Sequence, residues 1–281
     1  MKTISKILFT IFIACTAISN AQNNPIEVTV TGDGAPIILL SGFATNGNEV
    51  WQTTVDELSK THKCHVINYA GFAGMKPIEF PWLPKVLTNI EDYIKEKQLK
   101  KPVIIGHSLG GTLGIKLASN PDLNISRLLI VDALPATGAL LFPDFKPETL
   151  QYESPYNQQM LGMDEAAFAQ MAMGMAAGMT SNTIGQEQII KWMKTTDRKT
   201  FVYAYTDYLK FDMREGLKQI NIPVTILGAG KPYGEEMAKA NYTKQYQNLS
   251  DYNLVMNADS AHFIMMDQPK WFMEQLNLFL K

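Results

Sequence analysis

The 281-residue chain is long enough for one large domain with a substantial core. A hydrophobic fraction of 46% beside a charged fraction of 19% fits a folded globular protein and excludes a disordered one. The net charge of −2, with no basic run anywhere, argues against a nucleic-acid partner.

The first segment is expected to be a leader rather than part of the fold. Lys2 and Lys6 stand before or at the start of a largely apolar stretch from Ile7 to Ala17. At about eleven residues that stretch is too short to span a bilayer, but it suits the hydrophobic region of a signal peptide. Ser19-Asn20-Ala21 then supplies a small-x-small site. Cleavage is therefore predicted after Ala21, giving a leader over 1–21 and a secreted or periplasmic mature chain with no stable membrane span. Cys15 offers lipidation as the alternative, although Phe12-Ile13-Ala14 makes a poor lipobox. Without the leader, Cys64 is the one remaining thiol, so no intramolecular disulfide is expected.

From Ile26 the elements come in a regular order. "IEVTVTG" reads as a strand and, past a "GDG" turn, "PIILLSGF" as another. A helix pattern follows around Trp51 to Lys60, then the strand "HVINYA". The "HKCH" ahead of it, His62 to His65, places two imidazoles and a thiol close in sequence. Strand alternation sends those side chains to opposite faces, so a metal site is not expected and Cys64 reads as a small buried hydrophobe. A proline-rich loop holding Pro77, Pro81 and Pro84 leads to a helix from about Leu83 to Lys97. The strand "PVIIG" and a helix after Ser108 come next, then the strand "RLLIVDA". Two more strands, "PVTILGAG" and "YNLVMNA", precede a final helix from about Lys270 to Leu280.

Short, nearly all-apolar strands alternating with helices predict an α/β protein: a mostly parallel central sheet sandwiched by helices, with antiparallel pairing only at the start. Active sites in such sheets gather at the carboxyl ends of the strands. The alternation breaks between about 136 and 215, where no strand is evident and methionine is frequent. We read this stretch as a helical cap inserted into a domain that spans 22–281. Phe168, Met171, Met175 and Met179 fall on one helical face, suited either to core packing or to an apolar wall facing a substrate. Asp212-Met213-Arg214-Glu215 reads as a helix cap with a carboxylate three residues on.

One constellation carries chemistry. Gly106-His107-Ser108-Leu109-Gly110 fits the G-x-S-x-G nucleophile elbow, between an apolar strand and a helix lined by Leu109, Leu113 and Leu117. The glycines let backbones approach where a side chain would clash. Such a serine needs a base, and of the four histidines His262 fits: "DSAHFIMMDQP" joins the strand "YNLVMNA" to the last helix. His107, inside the motif, reads as a packing and hydrogen-bonding residue. Asp267 is expected to cap the last helix, because Pro269 suits an early helical position. The oxyanion donors are expected from the backbone N–H groups of Leu109 and Phe43, with Gly42 permitting close approach.

From about Ile26 to Lys281 these features together resemble the α/β-hydrolase superfamily. "SGFATNGNEVW" is similar to its His-Gly-x oxyanion segment, with Ser41 in place of the histidine; "GHSLGG" is the elbow and "AHFIMMDQP" the histidine loop. The resemblance implies a Ser-His-acid mechanism through an acyl-enzyme, with no metal or cofactor and a small-molecule acyl substrate. Carboxylic-ester hydrolysis is the leading expectation. Peptidases, C–C bond hydrolases, acyltransferases and non-catalytic ligand-binding members also share the fold, and the oligomeric state is left open. The chain departs from the family at the acid: the usual aspartate slot after Gly228 holds "GAGKPYG", with Lys231 there. Asp132, ending "LLIVDALP", is favoured instead, because a strand end fixes a side chain more rigidly than a loop. Glu235 and Glu236 are the alternatives, and Asp259 stands too close in sequence to His262.

Overall fold

The computed structural model describes residues 24–142 and 144–281. The expected leader, its cleavage site after Ala21 and Cys15 lie outside them. The strands are β1 (Ile26–Thr31), β2 (Ala35–Leu40), β3 (His62–Tyr69), β4 (Val103–His107), β5 (Arg127–Val131), β6 (Val224–Ala229) and β7 (Asn253–Asn257). The helices before β5 are α1 (Gly47–Val50), α2 (Gln52–Leu58), α3 (Trp82–Glu96) and α4 (Leu109–Ala118). Between β5 and β6 run α5 (Thr137–Leu141), α6 (Pro155–Leu161), α7 (Glu165–Met179), α8 (Thr183–Thr195) and α9 (Arg198–Lys210). After β6 come α10 (Glu235–Gln245), α11 (Ile264–Asp267) and α12 (Pro269–Leu280).

The strands form one seven-stranded sheet in the order β1-β3-β2-β4-β5-β6-β7. All neighbours are parallel except β1 and β3, which run antiparallel with Ile26 opposite Tyr69. This is the mostly parallel sandwich expected from the apolar strands. β1 does not pair with its chain neighbour β2, however. Leu39 and Leu40 of β2 are fully buried, so that strand needs cover on both faces and a partner on both sides, which only the sheet interior supplies. β1 exposes Val30 and takes the edge.

Strand alternation divides the core in two. Ile38, Leu40, Ile104, Leu128 and Ile130 face a layer built around α3 and α4. Ile37, Leu39, Ile105, Leu129 and Val131 face the other layer, with Phe272 and Leu276 of α12 packed there. Full burial of each such side chain contributes roughly 1.5–3 kcal/mol. Cys64 joins the second layer, while His65 points the other way, its Nδ1 2.7 Å from the Tyr93 hydroxyl.

The helix expected around Trp51 to Lys60 is α2, and the one-turn α1, capped by the Asn46 side chain, precedes it. Local signals were misleading at two places. Pro84 lies in the first turn of α3 rather than in the loop, where its missing N–H removes no helical bond. Asp212 does not cap a helix. Its carboxylate is taken by Arg214, with the backbone N–H at 3.0 Å and Nη2 at 2.6 Å. In α7 the most buried positions are Phe168, Ala172 and Ala176, because small residues let the helix pack closely; Met171, Met175 and Met179 lie beside that line.

The helices between β5 and β6 are tied to α3 and α1, which flank the sheet. Asp207 of α9 accepts the N–H groups of Trp82 at 2.7 Å and Leu83 at 3.2 Å, capping α3, whose own N-cap residue, Pro81, offers no side-chain acceptor. Glu49 of α1 accepts from the Trp192 indole of α8 at 2.7 Å.

Candidate active site

The site starts at the junction of β4 and α4. Ser108 has φ 54° and ψ −124°, a conformation that a non-glycine residue adopts only when its surroundings impose it. What imposes it is backbone crowding. A Cβ on Gly106 would stand 2.3 Å from the Gly110 carbonyl oxygen, and one on Gly110 would stand 2.2 Å from that of Leu40. No other residue fits at either position, so the strand enters the helix through a sharp turn with the serine at its apex. The Ser108 N–H donates to the Val131 carbonyl at 3.0 Å, locking the turn to β5.

Asp132 stands directly beyond β5, one strand over, and also has a positive φ, 46°. That twist turns its carboxylate toward the loop after β7. Oδ2 lies 2.5 Å from His262 Nδ1; Oδ1 accepts from the Tyr242 hydroxyl at 2.5 Å and the Ala229 N–H at 2.9 Å. Burial alone would push this carboxyl up. The bond to His262 and its charge, with the donors Tyr242 and Ala229, outweigh burial and hold the carboxyl below its usual range. Asp132 is therefore a fixed anion. Glu235 and Glu236 lie exposed in the first turn of α10 and Asp259 is exposed in its loop; among the described residues, Asp132 is the carboxylate that meets His262.

The His262 loop is fixed from three sides. His107 donates from Nε2 to the His262 carbonyl at 3.0 Å, which assigns the His107 tautomer. Burial foremost, then the charge of His262, pushes the His107 imidazole down to about 3, so it stays neutral and serves as a strut. The Phe263 N–H donates to the Met179 carbonyl at the end of α7 at 2.9 Å. Asp267 accepts from the Ala261 N–H at 2.7 Å, the Thr180 hydroxyl at 2.5 Å and the Ser181 N–H at 2.9 Å. Asp267 thus does not cap α12, whose N-cap is Gln268 without a side-chain bond. Three donors from the α7–α8 junction and the histidine loop outcompete the nearby helix end.

Ser108 and His262 line one cavity of about 460 Å³. Met175, Met179, Ile189 and Met193 form one wall; Leu140 and Leu141 stand at its edge. Lys231, in the slot the family gives to an aspartate, lines it as well. Phe43 also lines the cavity, its ring held edge-on by Phe72, Phe201 and Tyr205 at 4.9–5.3 Å. A Cβ on Gly42 would lie 3.3 Å from Ser108 Cβ, so the chain leaving β2 passes directly against the elbow. Leu109 is the first residue of α4, and its N–H has no partner within the helix.

Tyr242 was not legible as a site residue. It arrives from α10, and Gly228 makes room for it: a Cβ there would stand 2.7 Å from the ring. The signal available in the sequence is the pair Tyr242 and Tyr246 on one helix face, both buried, with Tyr246 donating to the Ala133 carbonyl at 2.8 Å. Together they grip the segment that leaves β5. Tyr242→Phe keeps the ring and removes one donor from a buried carboxylate, an interaction of about 1.5–3 kcal/mol. With the Ala229 N–H as its one remaining donor on Oδ1, the carboxylate is held less firmly against His262, so kcat is expected to fall about tenfold at constant KM. Steady-state kinetics check this, and an unchanged kcat would reduce Tyr242 to packing.

A family model described as "alpha/beta hydrolase fold" matches residues 35–269. The chain is 25% identical over 214 residues to a pimeloyl-[acyl-carrier protein] methyl ester esterase of Aliivibrio fischeri, covering 72% of this chain and 77% of that protein. To the protein of the same description from Vibrio cholerae it is 22% identical, covering 88% of this chain and 94% of that one. Among solved structures, the enol-lactonase from Burkholderia xenovorans superposes with a TM-score of 0.76 at 15% identity, covering 91% of this chain and 96% of that one. At this identity the superposition speaks for the fold alone.

Proposed function

Because the chain belongs to the α/β-hydrolase fold family, we propose that it is a carboxylic-ester hydrolase that works through Ser108, His262 and Asp132. The observation carrying this reading is the strained Ser108 opening on the same cavity as an imidazole that a buried carboxylate holds at 2.5 Å. In the proposed cycle His262 takes the Ser108 proton from Oγ as that oxygen attacks the ester carbonyl. The tetrahedral oxyanion accepts from the N–H groups of Phe43 and Leu109. Its collapse expels the alcohol, which leaves with the proton held by His262. Water, deprotonated by His262, then hydrolyses the acyl-enzyme and regenerates Ser108. Throughout, Asp132 keeps the proton of His262 on Nδ1 and stabilises the imidazolium.

The ester assignment draws support from the methyl ester esterases among the relatives. The apolar wall of Met175, Met179, Ile189 and Met193 favours an aliphatic acyl group, and methionine adapts to irregular chains. The helices from α5 to α9 act in this reading as a cap over the carboxyl edge. A p-nitrophenyl ester series from acetyl to dodecanoyl is expected to peak at short or medium chains. Turnover confined to aminoacyl amides would refute the ester assignment. We further propose that the protein is exported and loses its leader after Ala21; an intact mass of the secreted chain beginning elsewhere than Gln22 would contradict this.

A further inference from the structure

We propose that Tyr208, a residue of α9, is a further catalytic residue: its phenol donates a hydrogen bond to the substrate oxygen that gains charge beside Ser108. The inference rests on the serine-hydrolase reading above and adds a side-chain donor to the two backbone N–H groups.

The argument is a count of protons. Tyr208 is 5% exposed and its ring lies among the hydrophobic residues beside α4, yet it lines the cavity with Ser108. Its hydroxyl oxygen accepts from the Thr137 hydroxyl at 2.7 Å. A second hydroxyl, Thr112 Oγ1, lies 3.4 Å away, but its own proton is committed to the Leu134 carbonyl at 2.8 Å. The phenol proton of Tyr208 is therefore left with two directions. One is the long approach to Thr112, at a distance where a hydrogen bond is weak. The other is the cavity, where Ser108 is its neighbour.

Tyr208 already accepts from Thr137 and keeps one proton to donate, with Ser108 beside it in the cavity. Burial foremost raises the Tyr208 phenol above its ordinary value, so the proton stays on at neutral pH and above. Nothing needs to be transferred: the proton remains on Tyr208 and the hydrogen bond shortens as the carbonyl oxygen becomes an oxyanion. Thr137 fixes the direction of the donor by occupying the one lone pair that would otherwise let the phenol rotate. Such preorganisation is what makes a donor stronger in the transition state than in the ground state.

Tyr208→Phe is the direct test, read on the purified full chain with a short-chain methyl ester. The expected result is a kcat lower by about 30- to 100-fold with KM within about twofold and an unshifted thermal midpoint, since an oxyanion donor acts on the transition state only. Retention of kcat within twofold would overturn the proposal, as would a loss carried by KM or by stability. Should Tyr208→Phe not fold, Thr137→Val leaves the tyrosine in place but frees it to rotate; kcat is then expected to fall about fivefold at constant KM, and an unchanged kcat would overturn the proposal. Ester turnover by the wild type separates the two readings: its absence removes the premise, whereas its presence with an undiminished Tyr208→Phe rejects the role of Tyr208 alone.

Discussion

Ser108→Ala is expected to lower kcat on a short-chain ester by about a millionfold, the scale at which loss of a hydrolase nucleophile removes the acyl-enzyme route altogether. The fold should survive, since alanine is smaller and the turn is imposed by the contacts of Gly106 and Gly110 rather than by the hydroxyl. KM should change little, because the cavity walls remain. A residual rate about 10³–10⁴ above water is expected from the backbone donors and substrate binding alone. Kinetics on protein free of wild-type carry-over read this directly. A loss smaller than tenfold would show that another atom attacks.

Asp132→Asn is the second large effect, expected at about 10⁴ in kcat. Asparagine has the same shape and can still accept from the Ala229 N–H and the Tyr242 hydroxyl through its oxygen. Its amide nitrogen then faces His262 Nδ1, the position where Oδ2 now lies at 2.5 Å. Two donors cannot share that contact. The imidazole must present a bare Nδ1 and carry its proton on Nε2, the nitrogen that has to receive the proton of Ser108. Glu235→Gln and Glu236→Gln are expected to stay near the wild-type rate, because both carboxylates are exposed in the first turn of α10. A rate for Asp132→Asn within tenfold of wild type would return the acid assignment to one of them.

The parts of this molecule that were legible in the sequence are those encoded by neighbours along the chain. Apolar runs such as Ile37 to Leu40 announce strands buried on both faces, and the glycines around Ser108 announce a turn too tight for side chains. Asp132 could be favoured but not fixed, because its meeting with His262 depends on β5 lying between β4 and β6, a matter of strand order. Tyr242 and Tyr208 were out of reach for a stronger reason. Each comes from a helix face whose neighbour is set by packing, and Tyr242 stands 110 positions after Asp132. Asp267 shows the opposite error. Pro269 two residues on gives a strong local cap signal, yet Thr180, Ser181 and Ala261 claim the carboxylate from elsewhere in the fold. Polar side chains at a site are assigned by their tertiary partners, and local pattern is weakest there.

The region between β5 and β6 bears on how the site admits substrate. Asp207 fastens α9 to the start of α3, Asp267 fastens the α7–α8 junction to the histidine loop, and Glu49 holds α8. Tyr208 and the methionine wall are both carried by this anchored region, so the same helices supply apolar lining and a polar neighbour to the cavity that holds Ser108.

The most direct measurement is covalent labelling with a fluorophosphonate, followed by peptide mapping, on wild type, Ser108→Ala and His262→Ala. One adduct in the wild type is predicted, on the peptide containing Ser108, with none in Ser108→Ala and a labelling rate in His262→Ala lower by at least about a hundredfold. Equal labelling of wild type and Ser108→Ala, or no labelling of the wild type, would contradict the assignment of Ser108 as the nucleophile activated by His262.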